Sequence, residues 1–327
     1  MRSLLLIIIF INLTLDFLAQ DIFYKKMILM GSRFDITVVD TDSTSAFKNI
    51  DIAVTEIQRI EKLISSWDKN SQTSRINMNA GVAPVEVSAE LFELIQRSIA
   101  ISNITDGAFD ITYASMDKVW HFDGSMKQMP KEVDIENSVA RVGFKNIILD
   151  KQKSTVFLKK KKMRIGFGAI GKGYAADMAK ELLISKGVVA GIINASGDMN
   201  TWGKNANGED WTIAITNPMN KNRAFAIVPI SNRAVVTSGD YEKFVSFNGK
   251  RYSHIINPKT GYPASGIISV SVFASSAELA DALATSIFVM GVEIGIDRVN
   301  QLPNIDCIII DEKGSIFTSE NIHINEK

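Results

Sequence analysis

Gly166-Phe167-Gly168-Ala169-Ile170-Gly171-Lys172-Gly173 is the stretch on which the fold class turns. Gly166, Gly168 and Gly171 match the spacing of a dinucleotide-binding turn, and with Lys172 the stretch comes close to the phosphate loop of nucleotide triphosphatases. Strand candidates at Thr155–Leu158 and Met163–Ile165 precede it, and a helix with the apolar stripe Ala175, Met178, Ala179, Leu182 and Leu183 follows. The phosphate-loop reading fails on chemistry, because Gly173 stands where a Ser or Thr hydroxyl must bind magnesium. The dinucleotide reading is weak on context. The loop lies mid-chain, the next acidic residue at a strand end is Asp198, and no second mononucleotide half is visible. The glycines are then either a packing turn or a cradle whose backbone N–H groups approach phosphate oxygens.

Outward from the loop, strands and helices alternate without a repeat or a long linker. Arg33 to Val39 alternates as a strand with Phe34, Ile36 and Val38 on one side. Phe47, Ile50, Val54, Ile57, Ile60 and Ile64 recur at steps of three and four, which predicts a helix. Ser88 is placed to cap a helix carrying Leu91, Ile95 and Ile99, which ends at the Asp106-Gly107 turn. Lys159 to Lys162 reads as a solvated hairpin end. The second half is richer in strands: Val188–Asn194, Trp211–Thr216, Ala224–Val228, Ala234–Thr237 and Ile267–Ala274. A helix from about Ser276 to Met290 is stopped by Gly291, and Cys307–Asp311 pairs with Ser315–Thr318 across Lys313-Gly314. Grouped strands mixed with helices predict an α+β fold rather than a doubly wound sheet.

Composition narrows the function classes. The chain has 327 residues, 46% hydrophobic and 22% charged, a globular balance. Lys plus Arg and Asp plus Glu are both 36, so the basic excess of a nucleic-acid binder is missing. One cysteine, Cys307, excludes an intrachain disulfide and a Cys-based zinc site. His121, His254 and His323 are too few for a histidine-rich metal cage. At the N-terminus, Arg2, the apolar run Leu4 to Leu13 and the small residue in Leu18-Ala19-Gln20 have the form of a secretory signal peptide over residues 1–19. The run is shorter than the ~20 residues needed to span a bilayer. A buried N-terminal strand is the alternative. Residues 20–327 then form one mature domain, exported to the periplasm and at most peripheral to the membrane.

Two motifs carry chemistry. Asp281 and Thr285, at i and i+4 in Asp-Ala-Leu-Ala-Thr, project from one helix face. A carboxylate with a hydroxyl forms a hard-oxygen set suited to Mg²⁺. The alternative is a wet helix face, but Ala280, Ala282, Leu283, Ala284 and Ile287 leave little polar surface there, and a buried Asp needs a partner. His254 precedes the turn Asn257-Pro258-Lys259-Thr260-Gly261, where it is either a proton shuttle or a hydrogen-bonded structural residue.

Taken in order, Met30-Gly31-Ser32, Asp106-Gly107-Ala108-Phe109-Asp110, Gly168-Ala169-Ile170-Gly171-Lys172-Gly173-Tyr174, Asn194-Ala195-Ser196-Gly197-Asp198, Thr237-Ser238-Gly239-Asp240-Tyr241, Ser253-His254-Ile255-Ile256-Asn257-Pro258 and Asp281-Ala282-Leu283-Ala284-Thr285 resemble the FAD:protein FMN transferases, the ApbE flavin transferases. The resemblance runs from about Met30 to Phe317. It implies a T-fold-like α+β architecture and a Mg²⁺-dependent transfer of FMN from FAD to a threonine or serine of an acceptor protein, with release of AMP. The implied acceptor is a flavoprotein subunit of a membrane redox complex. By position, Ala169 (through its carbonyl), Asp281 and Thr285 would hold the metal. Met30, Trp67, Ala108, Phe109, Asp110, Lys172 and Ile255 would line the FAD site, and His254 matches a histidine on which activity depends. The chain departs from the family pattern at Gly166, where Asp is frequent, at Ser196, where Gly is usual, at Asn257, where Asp is common, and at Trp67, where Tyr is frequent. Hydrolysis of FAD to FMN and AMP, storage of FAD without chemistry, and a nicotinamide oxidoreductase are the competing readings.

Overall fold

The computed structural model describes residues 20–217, 220–240 and 244–322. The expected signal segment 1–19, Tyr241 and His323 lie outside the described residues. In chain order, a hairpin of β1 (Asp21–Leu29) and β2 (Ser32–Asp40) leads to α1 (Ser43–Ile64) and α2 (Gln72–Met78). Next come β3 (Val85–Glu86), α3 (Ala89–Ile104), a 3-10 turn at Ile111–Ser115, α4 (Glu132–Ser138), β4 (Ile147–Asp150) and β5 (Thr155–Leu158). After the glycine loop come α5 (Gly171–Ser185), β6 (Gly191–Ala195), β7 (Asp198–Trp202), β8 (Trp211–Asn217), β9 (Asn220–Ile230) and β10 (Ala234–Gly239). β11 (Phe244–Phe247), β12 (Lys250–Ser253), β13 (Ile267–Ala274), α6 (Ala277–Met290), α7 (Val292–Asn300), β14 (Asp306–Asp311) and β15 (Ile316–Thr318) complete the chain.

Eight strands form one antiparallel sheet in the order β1-β2-β6-β7-β10-β13-β14-β15. The period-2 alternation of β2 explains how it is covered. Phe34, Ile36 and Val38 are fully buried with Ile50, Ile57 and Ile60 of α1 on one face, while Val39 joins Trp211, Ile213 and Ile230 of the β8–β9 hairpin on the other. Helices α1, α5 and α6 pack on the first face and the hairpin on the second, an α+β fold as expected. Cys307 is buried in β14, where burial pushes its thiol up to about 12, so it serves as a small apolar residue.

Most expected elements form, some with shifted ends; β9, for one, runs Asn220–Ile230 rather than Ala224–Val228. Met163–Ile165 is not a strand. Asn77 Nδ2 donates to Ile165 O at 3.0 Å, its Oδ1 accepts from Ile165 N at 2.8 Å, and Ser115 Oγ accepts from Arg164 N at 2.7 Å, so side chains occupy the groups a neighbouring strand would pair. β6 starts at Gly191 rather than Val188, because Val188 N still donates to Leu183 O at 3.0 Å as α5 closes over Gly187 in the left-handed region. In α1, Ala46 and Ala53 rather than Phe47 and Val54 complete the fully buried stripe. Phe47 instead stands edge-on to Phe23 with ring centroids 6.0 Å apart.

Candidate active site

The glycine loop and α5 form the floor of the site, and Gly171 and Gly173 are there for packing, whereas Gly168 has open space around it. A Cβ on Gly173 would lie 2.1 Å from Ala277 O, and one on Gly171 would lie 2.8 Å from Ile64 Cδ1 and 3.8 Å from Met30 Cε. The first turn of α5 therefore presses directly on the start of α6 and on the end of α1. Gly173 N donates to Asp281 Oδ2 at 3.3 Å, which sets the Asp281 carboxylate at the positive end of α5.

Asp281 is 4% exposed. Burial pushes its carboxyl above the usual range, opposed by the positive charge of Lys172 and the Gly173 N–H. Thr285 is half-buried one turn further along α6, and Ala169 is half-buried at the end of the loop. Among the described residues no group of three or more His, Cys, Asp or Glu could hold a metal ion. A cation here would therefore depend on one carboxylate supplemented by hydroxyl and carbonyl oxygens. A buried carboxylate with a long hydrogen bond at a helix N-terminus fits such a partner.

Lys172, the second residue of α5, is ion-paired with Asp198, the buried first residue of β7. The acidic residue at the strand end after the loop, Asp198, thus sits beside Lys172. Behind this floor Asp177 accepts from Ser276 Oγ at 2.7 Å and from the N–H groups of Ala277 and Glu278 at 2.8 Å each, tying α5 to the start of α6. It had no sequence signal beyond being an Asp on an apolar helix. A cavity of about 650 Å³ lined by Asp177, Tyr174 and Arg97 contains none of the expected metal, FAD or catalytic residues.

Met30 occupies the tight turn between β1 and β2 with φ 51°, and its N–H donates to Glu61 Oε2 at 3.2 Å. Trp67 follows α1 with its ring 83% exposed and Lys118 Nζ 5.2 Å from the ring centroid. Ala108, Phe109 and Asp110 are buried, Phe109 within the main core at 2% exposure. Asp110 caps the 3-10 turn: its oxygens accept from Thr112 N, Thr112 Oγ1 and Phe144 N at 2.8, 2.6 and 2.8 Å. Gly166 N donates to Ile111 O at 2.9 Å, so this segment lies against the glycine loop. At Gly166 a Cβ would meet Ala114 Cβ at 3.0 Å, so a larger side chain there needs Ala114 to give way.

His254 and Ile255 stand at the end of β12. His254 is half-buried, edge-on to Phe122 with ring centroids 6.5 Å apart. Asp240 lies nearby. Burial raises its carboxyl, and Arg251 and the His254 charge oppose that. Ile255 is buried in the α6 core, with its carbonyl accepting from Ala264 N at 2.8 Å. Asn257 builds the following turn: its Oδ1 accepts from Lys259 N and its carbonyl from Gly261 N, at 2.9 and 2.8 Å. Pro258 and Lys259 then reach a cavity of about 560 Å³ shared with Gly107 and Asp110. The glycine loop and the start of α5 thus meet Met30 at Gly171, Ile111 at Gly166 and α6 at Gly173, while Trp67 and His254 stand beside Lys118 and Phe122.

The sequence pattern of the ApbE family matches residues 30–309, the span over which these segments fall. The chain belongs to the ApbE family. Among its ApbE relatives, the FAD:protein FMN transferase of Klebsiella pneumoniae (strain 342) is 32% identical over 300 residues, 91% of this chain and 92% of that one. That of Escherichia coli (strain K12) is 30% identical over 81% of this chain and 77% of that one. The solved ApbE protein of Thermotoga maritima superposes with a TM-score of 0.84 at 31% identity, covering 92% of this chain and 97% of that one. The flavin transferase ApbE of Vibrio cholerae superposes at 0.80 with 26% identity, covering 92% and 98%.

Proposed function

We propose that the chain is a FAD:protein FMN transferase that uses Mg²⁺ and moves FMN from FAD to a threonine or serine hydroxyl of an acceptor protein, releasing AMP. The observation that carries this reading is the buried Asp281 carboxylate, held at the N-terminus of α5 beside Lys172, in a chain whose relatives bear that name. Asp281, Thr285 and the Ala169 carbonyl would hold the cation, which supplies charge stabilisation to the pyrophosphate when bound. Lys172 adds a fixed positive charge where negative charge develops on the departing AMP. Trp67 offers its exposed face for stacking, and Met30, Ala108, Asp110 and Ile255 shape the FAD pocket. Phe109, being a core residue, takes part through its backbone.

In the transfer step the acceptor hydroxyl oxygen bonds to the FMN phosphorus and the bond from that phosphorus to the AMP oxygen breaks. His254 accepts the hydroxyl proton, and the electron pair of the broken bond leaves with AMP. Asp106-Gly107-Ala108 is followed by Phe109, which has no hydroxyl to attack, so the acceptor is a separate protein. An exported enzyme acting in the periplasm on a subunit of a membrane redox complex agrees with the N-terminal segment 1–19. Among the described residues no helix is long and apolar enough to cross a membrane.

The test is AMP release from FAD with Mg²⁺ and an acceptor domain carrying the hydroxyl or an Ala in its place. Release that depends on the hydroxyl supports transfer. Release at the same rate with the Ala acceptor means water is the nucleophile and the enzyme is a pyrophosphatase.

A further inference from the structure

The β6–β7 hairpin turns on two residues in the left-handed region, Ser196 at φ 59° and Gly197 at φ 104°. Asn194 Oδ1 accepts from Gly197 N at 2.8 Å and fixes that turn. It delivers Asp198 to the end of the sheet at 2% exposure, against the first turn of α5. There its carboxylate pairs with Lys172 Nζ. The residue after Lys172 donates its N–H to Asp281. The Lys172 ammonium is therefore paired with one buried carboxylate, and its charge acts on a second from a different element.

A lysine ammonium is a compact charge on a flexible four-carbon stem, so in a low-dielectric site it settles on the carboxylate that holds it best. With Asp198 in place that carboxylate is Asp198. With Asp198 neutralised, the Asp281 carboxylate, which already feels the Lys172 charge, competes for that ammonium, and an ion pair there would cover the oxygens a divalent cation needs. Breaking this half-buried pair also leaves the Lys172 charge uncompensated, which favours its move toward another carboxylate.

We propose that Asp198 is a positioning residue that claims the Lys172 ammonium and so keeps the Asp281 carboxylate open to a divalent cation. This rests on the reading of Asp281 as a cation ligand. It assigns Asp198 no contact with substrate and no proton to move.

The test is a double-mutant cycle on the full mature chain without FAD, with Mn²⁺ as the probe and the free-Mn²⁺ electron paramagnetic resonance signal as the readout. Asp198→Asn keeps the shape and removes the charge. It is expected to raise the Mn²⁺ dissociation constant about tenfold, within the coupling range of residues in contact. Asp198→Glu, which restores the pair, is expected to bind as the wild type does. In a Lys172→Met background Asp198→Asn is expected to change the constant by less than about twofold, since no ammonium is left to misplace. If Asp198→Asn melts below the assay temperature, Asp198→Ser carries the same expectations. Wild-type affinity in the charge-removed variant overturns the proposal. So does an equal loss in the Lys172→Met background, which would reduce Asp198 to a distant charge. If the wild type itself binds no Mn²⁺ while Asp281→Ala is equally silent, the Asp281 reading is what has failed, and this proposal falls with it.

Discussion

Asp281 is 4% exposed, locked between two helix ends by a backbone hydrogen bond, whereas Trp67, just beyond the end of α1, is 83% exposed with Lys118 over its ring. The first half of the site is built from helices and strand ends, where Gly171 and Gly173 leave no room for a Cβ. The second is built from loops, with His254 half-buried against Phe122. Positioned charge is most effective where it is fixed in advance and kept from water. A stacking face and an approach for a protein hydroxyl must stay open. The difference points to charge stabilisation in the α5–α6 half and to stacking, acceptor approach and proton transfer in the loop half, and substitutions should separate the two.

The largest effect is expected from Asp281→Ala. FMN transfer should fall about 10³-fold at matched Mg²⁺, comparable to losing a main electrostatic stabiliser, while the melting temperature holds or rises because a buried carboxylate is gone. Unchanged transfer would remove Asp281 from the site. Gly173→Ala probes the same half through packing. Its Cβ would lie 2.1 Å from the Ala277 carbonyl oxygen, so denaturant unfolding should show a loss of about 3 kcal/mol. A near-neutral result would mean that α5 and α6 are free to separate.

On the open side, His254→Asn should slow transfer about 10²-fold with FAD binding unchanged. Parallel loss of binding and rate would make His254 a binding residue. Trp67→Ala should weaken FAD binding about tenfold, as loss of one stacking face does, without lowering the melting temperature. A stability loss in that variant would place the ring in a packed environment the structure does not give it. The smallest effect belongs to Ser196→Gly. Ser196 holds φ 59°, and relieving the left-handed strain should outweigh the entropy of the added glycine by about 0.5 kcal/mol.

The same contrast governs what the sequence made legible. Buried periodic segments announced themselves: the 34, 36, 38 alternation of β2, the stripe of α1 and the apolar surroundings of Asp281 all follow from burial on one or both faces. The glycine loop stayed ambiguous, because close packing and phosphate approach both call for a missing side chain, and contact with Ile64 and Ala277 is a property of distant segments. Asp198 and Asp177 act on α5 and α6 through tertiary contacts, for which no local pattern exists. Met163–Ile165 looked like a strand because it is apolar and extended, but its backbone partners are the side chains of Asn77 and Ser115. That the ordered motifs resemble the ApbE family pointed to the fold that the match over residues 30–309 and the Thermotoga maritima superposition then supported.

Transfer of FMN from FAD onto another protein is the proposal on which every role above depends. The most direct measurement is the intact mass of an acceptor domain with an exposed threonine after incubation with the mature enzyme, FAD and Mg²⁺, followed by denaturation. Expected are a gain of one FMN on the acceptor, none on the enzyme, and only a trace on the acceptor over the same time when Asp281→Ala replaces the wild type. An unmodified acceptor alongside FMN on the enzyme itself, or alongside free FMN and AMP in solution, would contradict it.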